Sequence, residues 1–145
     1  MAISFRKLQR SDFNKGFLQL LNQLAPVQNF SQEYFNRIFD DFEKTPQKHV
    51  FVGEINNDLV CSGTLLLERK FFFNGRNFGH IEDIVVDNKW RGKGVGKKLI
   101  DELINDGKEN GCIRLVLDCV DDKKDFYIKC GFFRRGNQMN YHFEK

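Results

Sequence analysis

The stretch "EDIVVDNKWRGKGVGKKLIDELI", residues 82–104, decides the fold. An apolar run, Ile84-Val85-Val86, leads into a basic, glycine-rich turn, and an amphipathic pattern follows. Val95, Leu99, Ile100, Leu103 and Ile104 recur at helical spacing, which predicts a core-facing helix over residues 95–110, stopped by Gly111. Before it, "FGHIEDIVV" (78–86) reads as a strand, and after it "IRLVLDCV" (113–120) reads as another. A strand–helix–strand unit in one sheet crosses over right-handed, so these two strands are expected to run parallel.

The turn itself, "RGKGVGKK" (91–98), asks for an anion. Glycines let the backbone approach a ligand closely, and the first N–H groups of a helix are unpaired and carry its positive dipole. Together they make a seat for a pyrophosphate. A P-loop is excluded, because Lys98 stands where Ser or Thr is needed; a dinucleotide turn is a poor match, because Lys97 replaces its third glycine. The residues alone leave a basic, solvated helix start equally open.

Upstream, "ISFRKL" (3–8) alternates as a strand. Ser11 is the expected N-cap of a helix carrying Phe13, Phe17, Leu20, Leu21 and Leu24 and closed by Pro26. Ser31 is the expected cap of a second, with Phe35, Ile38, Phe39 and Phe42 on one face, closed by Pro46. Residues 49–55, 59–73 and 78–86 follow as an antiparallel meander, with "NND" (56–58) and "NG" (74–75) as its turns. Downstream, 121–130 reads as a short helix ended by Gly131, and "FFRRG" and "MNYHFE" as two closing strands around "GN" (136–137). The whole is expected to be one mixed α/β domain over 1–145.

Composition narrows the function. The 145 residues are 41% hydrophobic and 30% charged, a globular balance, and the 16 Phe are expected mostly in the core. A net charge of +3 does not mark a nucleic-acid binder. The basic excess is local, with Lys89, Arg91, Lys93, Lys97 and Lys98 inside ten residues, which suits a small, highly charged anion. Cys61, Cys112, Cys119 and Cys130 contain no C-x-x-C pair and only three His accompany them, so no metal is expected. Cys119 and Cys130 read as small buried thiols, with no base beside either to make a nucleophile. "MAISFRKLQR" has no apolar signal core and no segment nears the ~18 apolar residues of a membrane span. The expectation is a reduced, cytoplasmic protein without membrane or nucleic-acid partners.

With these residues in place, the chain resembles a known family. Arg91-Gly92-Lys93-Gly94-Val95-Gly96 resembles the [Q/R]-x-x-G-x-[G/A] coenzyme A loop of the GNAT-type N-acetyltransferases. "GHIEDIVVD" (79–87), "GCIRLVLDC" (111–119), "FYIKCGF" (126–132) and "ERKFFFNG" (68–75) are similar to segments of the glucosamine-6-phosphate N-acetyltransferase family. The resemblance implies a GNAT fold: a central, mostly antiparallel sheet with one parallel, splayed pair, flanked by helices. It implies acetyl-CoA as cosubstrate, an amino-sugar phosphate as acceptor, direct attack of the amine on the thioester, and a homodimer that exchanges C-terminal strands. The product, N-acetylglucosamine 6-phosphate, would serve UDP-N-acetylglucosamine biosynthesis. Other readings of the scaffold are a different acceptor, such as a polyamine or protein N-terminus, and a non-catalytic acyl-CoA-binding domain.

Site residues follow from the same resemblance. The backbone of Ile84, Val85 and Val86, the turn Arg91–Lys97, Tyr127 and Lys129 are implied on the coenzyme. Tyr127 is implied as the acid for the leaving thiolate; its other reading is an aromatic packed beside Phe126. Asp118 is implied at the substrate, or it simply caps the next segment. Glu82 is implied in the amino-sugar site as proton acceptor and Asp83 as a substrate or dimer contact, their side chains expected on opposite faces of a strand; both are otherwise ordinary edge carboxylates. Lys70 and Arg114 are implied on the sugar phosphate, or are strand-edge gatekeepers. His142 stands where the family often has a substrate-reaching arginine, and Ala25, Phe73 and Lys123 replace a usual threonine, histidine and asparagine.

Overall fold

The computed structural model describes residues 2–144. Its elements are β1 (Ser4–Lys7), a 3-10 turn (Arg10–Lys15), α1 (Phe17–Asn22), α2 (Gln32–Glu43), β2 (Lys48–Ile55), β3 (Asp58–Arg69) and a single turn α3 (Phe72–Gly75). Then come β4 (Asn77–Val86), α4 (Val95–Glu109), β5 (Cys112–Val116) and α5 (Lys124–Lys129). The five strands form one sheet in chain order, antiparallel from β1 to β4, with β4 and β5 parallel. This is the expected mixed sheet with one parallel pair.

Each face of the sheet is covered by a different set of helices. Leu99, Ile100 and Leu103 of α4 are fully buried against Cys61, Leu65 and Ile81. Burying each such aliphatic side chain is worth roughly 1.5–3 kcal/mol. On the opposite face Phe17, Leu18 and Leu20 of α1 and Phe35 and Phe39 of α2 cover Val50, Val52, Leu59 and Val85. Ser31 caps α2 as expected, its hydroxyl accepting the Tyr34 N–H at 3.1 Å.

Several sequence expectations are corrected. Ser11 caps no helix: the first segment is a 3-10 turn at which the Asp12 carboxylate accepts the Gln9 N–H, and left-handed Gly16 separates it from α1. That helix ends at Asn22, short of Pro26. β3 stops at Arg69, so Phe71, Phe72 and Phe73 belong to an exposed loop rather than to a strand or the core. β5 stops at Val116 instead of 120. The two closing strands are absent among the described residues, and Phe133, Met139, Tyr141 and Phe143 lie exposed. An isolated terminal hairpin has little stability unless it pairs with a sheet, and here the segment after α5 pairs with neither edge strand.

The alternation of β4 also breaks. Ser62 pairs with Val85 and Thr64 with Glu82, so Asp83 is an extra residue, held at φ +55. Such a bulge reverses the phase of the strand. Ile81 and Ile84, three apart, consequently pack on the same α4-side cluster, while Val85 faces α1 and α2. The regular alternation on which the opposite-face expectation for Glu82 and Asp83 rests is interrupted at Asp83; both residues are exposed beside the bulge.

Candidate active site

β4 and β5 stay paired only from Asn77 to His80, opposite Cys112–Val116. Beyond that point β4 continues through Ile81–Val86 with no β5 partner. The strands part where the bulge re-aims β4, which leaves backbone donors and acceptors of Ile84–Val86 without a ladder on that side. At the end of the strand Val86 C=O accepts the Arg91 Nε–H at 3.1 Å, which ties the glycine turn to it. Asp87 opens the intervening 3-10 turn by accepting the Lys89 N–H at 2.8 Å.

The turn behaves as its composition predicts. Gly92 (φ +74) and Gly94 (φ +81) are left-handed, and a Cβ on either would meet open space. α4 starts at Val95 with no side-chain cap, and its first helical bond runs from Lys98 N–H to Gly94 C=O. The N–H groups of Val95, Gly96 and Lys97 are therefore free, at the positive end of a 15-residue helix with no acidic side chain in its first turn. Lys93 lies 5.1 Å over the Trp90 ring. Lys97 is bridged to Asp101 at 2.9 Å, so part of its charge is already neutralised; Lys129 is exposed on α5. A Cβ on Gly96 would lie 3.2 Å from Phe126 and 3.6 Å from Val86, which places this helix start beside both α5 and the end of β4.

Tyr127 is half-buried between Phe126 and Phe132, with ring centroids 5.0 and 6.1 Å away in edge-on packing. Burial first, and the nearby Cys119 and Cys130 second, push its phenol above the ordinary tyrosine value. Its hydroxyl has no hydrogen-bond partner among the described residues. Tyr127, Asp118 and Arg114 line one cavity of about 670 Å³, between β5, α5 and the segment 130–138. Neither Glu82 nor the glycine turn lines it.

Lys70 and Arg114 gather around Phe78 on the sheet face that α4 does not cover. Register puts Glu68, Phe78 and Arg114 in one cross-strand row, and Leu66, His80 and Val116 in the next. Lys70 is bridged to Glu68 at 2.8 Å, and His80 Nε2 lies 2.9 Å from the same carboxylate. These two partners, Lys70 first, hold Glu68 below the ordinary carboxylate range. Arg114, by contrast, makes no ion pair and donates no side-chain hydrogen bond among the described residues; its guanidinium rests on Phe73 and Phe78. His142 is exposed on the C-terminal segment and engages none of these groups. Cys119 is exposed, not buried, Cys130 is half-buried with its thiol pushed up by burial, and buried Cys61 is pushed up to about 12.

Sequence reasoning missed Phe78, Gly63 and Gln23. Gln23 of the segment after α1 accepts the Asn88 N–H at 2.9 Å and so braces the approach to the glycine turn. Its partners are 65 residues apart, and no local pattern marks such a pair. The strand pattern did signal Phe78, but as a packing residue.

Residues 8–132 match the acetyltransferase (GNAT) family. The glucosamine 6-phosphate N-acetyltransferase of Arabidopsis thaliana is 38% identical, over 99% of this chain and 100% of that one. Glucosamine 6-phosphate N-acetyltransferase 1 of Dictyostelium discoideum is also 38% identical, over 96% of this chain and 90% of its own length. The crystal structure of the Arabidopsis thaliana enzyme superposes with a TM-score of 0.94 at 36% identity, covering 99% of this chain and all of that one. The chain belongs to the GNAT acetyltransferase family and, within it, to the glucosamine 6-phosphate N-acetyltransferases.

Proposed function

We propose that the chain transfers an acetyl group from acetyl-CoA to the 2-amine of glucosamine 6-phosphate. The observation that carries this reading is the set of free N–H groups at Val95, Gly96 and Lys97, beside the end of β4 where it has left β5. That arrangement fits a pyrophosphate at the helix start and an extended arm along Ile84–Val86. Gly92 and Gly94 leave the space clear, and Arg91, Lys93 and Lys129 add positive charge.

Bound there, acetyl-CoA supplies an activated thioester. The chain's own groups do the rest. Glu82 takes the proton from the acceptor ammonium, directly or through water, so that a neutral amine attacks. A backbone N–H within Ile84–Val86 polarises the thioester oxygen. Tyr127 donates its phenolic proton to the leaving sulfur; its raised pKa keeps that proton in place near neutral pH. Asp118, which lines the same cavity as Tyr127 and Arg114, contacts the acceptor. Arg114 takes the sugar phosphate, with Lys70 contributing from its bridge to Glu68 and Asp83 from the bulge. No step calls for a metal.

The same reading makes residues 1–145 one catalytic domain, working in the cytoplasm as a homodimer. Supporting the dimer are the exposed Phe133, Met139, Tyr141 and Phe143 and the open outer edge of β5, the last strand of the sheet. Exchange of the terminal segments would cover both, and His142 would reach an acceptor across that exchange. Sedimentation at micromolar concentration is expected to give a dimer that truncation after Gly131 abolishes.

The deciding experiment measures release of free CoA from acetyl-CoA with a panel of amines. Glucosamine 6-phosphate is the expected acceptor. Turnover with spermidine or an N-terminal peptide, and none with the sugar phosphate, would overturn the reading.

A further inference from the structure

The loop between β3 and β4 contains three successive phenylalanines that behave differently. Phe71 and Phe72 point into solvent, at 102% and 71% exposure, whereas Phe73 is 46% exposed. Phe73 (φ +54), Asn74 (φ +59) and Gly75 (φ +75) are all left-handed. Asn and Gly visit that region readily, but Phe does so only under strain. The conformation is held by three bonds: Lys70 N–H to Arg76 C=O at 3.0 Å, Arg76 N–H to Phe73 C=O at 3.3 Å, and Arg69 Nε–H to Gly75 C=O at 3.2 Å.

The strained residue brings its ring back onto the sheet. Its centroid lies 5.9 Å from that of Phe78, and Arg114 Cζ sits 5.4 Å from Phe73 and 4.8 Å from Phe78. Two rings thus hold one guanidinium. A ring stacked on the face of a guanidinium leaves free its five N–H donors, which lie in the plane. Among the described residues no carboxylate pairs with Arg114, although Lys70 and His80 nearby are both engaged by Glu68. Arg114 also lines the cavity that holds Tyr127 and Asp118.

We infer that Phe73 is a positioning residue for acceptor recognition: with Phe78 it clamps Arg114 so that the guanidinium presents its in-plane donors to the phosphate of the amino sugar. A planar fork aimed in this way suits a bidentate phosphate contact. The inference rests on the proposed acetyl transfer to a phosphorylated amino sugar and explains how that acceptor is told from its unphosphorylated counterpart. A strained aromatic in an exposed loop is thereby given a task that core packing does not supply.

The test is steady-state kinetics with acetyl-CoA and two acceptors, glucosamine 6-phosphate and glucosamine. Phe73→Asn keeps a residue that tolerates the left-handed backbone while deleting the ring, so loss through loop strain is avoided. It is expected to raise the KM for glucosamine 6-phosphate about three- to thirty-fold, the range of a cation–π contact. The kcat, the KM for acetyl-CoA and the kcat/KM for glucosamine should stay within about twofold by the same measure. Phe73→Trp should restore the phosphorylated acceptor, and Phe73→Asn should add nothing in an Arg114→Gln background. Equal losses on both acceptors, or a raised KM for acetyl-CoA, would show a merely structural role and overturn the inference. Loss of phosphate preference in Arg114→Gln but not in Phe73→Asn would overturn it while leaving Arg114 on the phosphate. Preference retained in both would remove Arg114 and Phe73 together, and an inactive wild type with the sugar phosphate would instead remove the acceptor reading itself.

Discussion

The side chain of Ile84 fills the space that a Cβ on Gly63 would need: that Cβ would lie 2.6 Å from Ile84 Cδ1 and 3.1 Å from Leu103 Cδ1. Gly63 stands across from the bulge, between Ser62, paired with Val85, and Thr64, paired with Glu82. The bulge turns Ile84 towards α4, and only a glycine opposite leaves room for it. Gly63→Ala should therefore push Ile84 out of place. Overpacking of this kind costs roughly 1–3 kcal/mol, several degrees in Tm for a chain of this size. Because Ile84 belongs to the diverging end of β4, the KM for acetyl-CoA should rise several-fold and that for the acceptor less. Thermal melts and two-substrate kinetics check both; an unchanged coenzyme KM in a destabilised variant would detach the bulge from the coenzyme.

Local patterns carried the fold as far as local physics reaches. The helix from Val95 was legible because its apolar stripe, its glycine start and its Gly111 stop agree. Ser31 was legible as a cap because the bond it makes spans three residues. Ser11 misleads because the N-cap there is Gln9, whose N–H is taken by Asp12, a carboxylate also committed to Arg6 on β1. The bulge at Asp83 was hidden because it depends on Gly63, twenty residues earlier on another strand. The aromatic clamp on Arg114 joins a loop, β4 and β5, and nothing in "ERKFFFNG" says which ring turns inward. The two closing strands are suggested by the "GN" turn between "FFRRG" and "MNYHFE", but a strand forms only on a partner edge, and among the described residues this segment pairs with none.

Gly94 and Gly111 separate anion binding from backbone strain. Both are left-handed, at φ +81 and +71, and neither would bring a new Cβ against any atom. They flank opposite ends of α4. Alanine at either should cost about 1–2 kcal/mol through conformation alone. Only Gly94 belongs to the proposed pyrophosphate seat. Gly94→Ala should raise the dissociation constant for CoA at least tenfold, whereas Gly111→Ala should leave it unchanged. Titration calorimetry gives both numbers. Equal weakening at the two ends would mean that stability, not the seat, governs binding.

Asp12 anchors the N-terminal segment to the sheet. It is fully buried, and its carboxylate accepts from Arg6 at 2.7 and 2.8 Å and from the Gln9 N–H at 2.7 Å. Burial alone would raise its pKa, but the Arg6 and Gln9 hydrogen bonds prevail and hold it below the usual carboxylate range. A carboxylate with a depressed folded-state pKa contributes stability that is complete above its unfolded value of about 3.9 and is lost as pH falls through the folded value. Asp12→Ala leaves Arg6 with Glu54 alone and the Gln9 N–H without its acceptor, and should cost about 1–3 kcal/mol between pH 5 and 8. Below pH 4 the gap to wild type should shrink, because the wild type is losing the same contribution. A gap that stays constant down to pH 2 in denaturant titrations would contradict this assignment.

Tyr127 offers the sharpest test of mechanism. Its ring is fixed edge-on between Phe126 and Phe132, and those contacts do not need the hydroxyl. Tyr127→Phe should therefore preserve the fold and leave the KM for acetyl-CoA within about twofold, while a lost general acid lowers kcat by about a hundredfold or more. The pH profile adds a second readout. Burial raises the phenol above its ordinary value, so the wild type keeps its proton donor through neutral pH and loses it only above the usual phenol range, near pH 10. The alkaline fall in kcat assigned to Tyr127 should accordingly lie at high pH and vanish in the phenylalanine variant. A variant with wild-type kcat, or one that keeps the same alkaline limb, would leave Tyr127 as packing and move the proton donor to solvent.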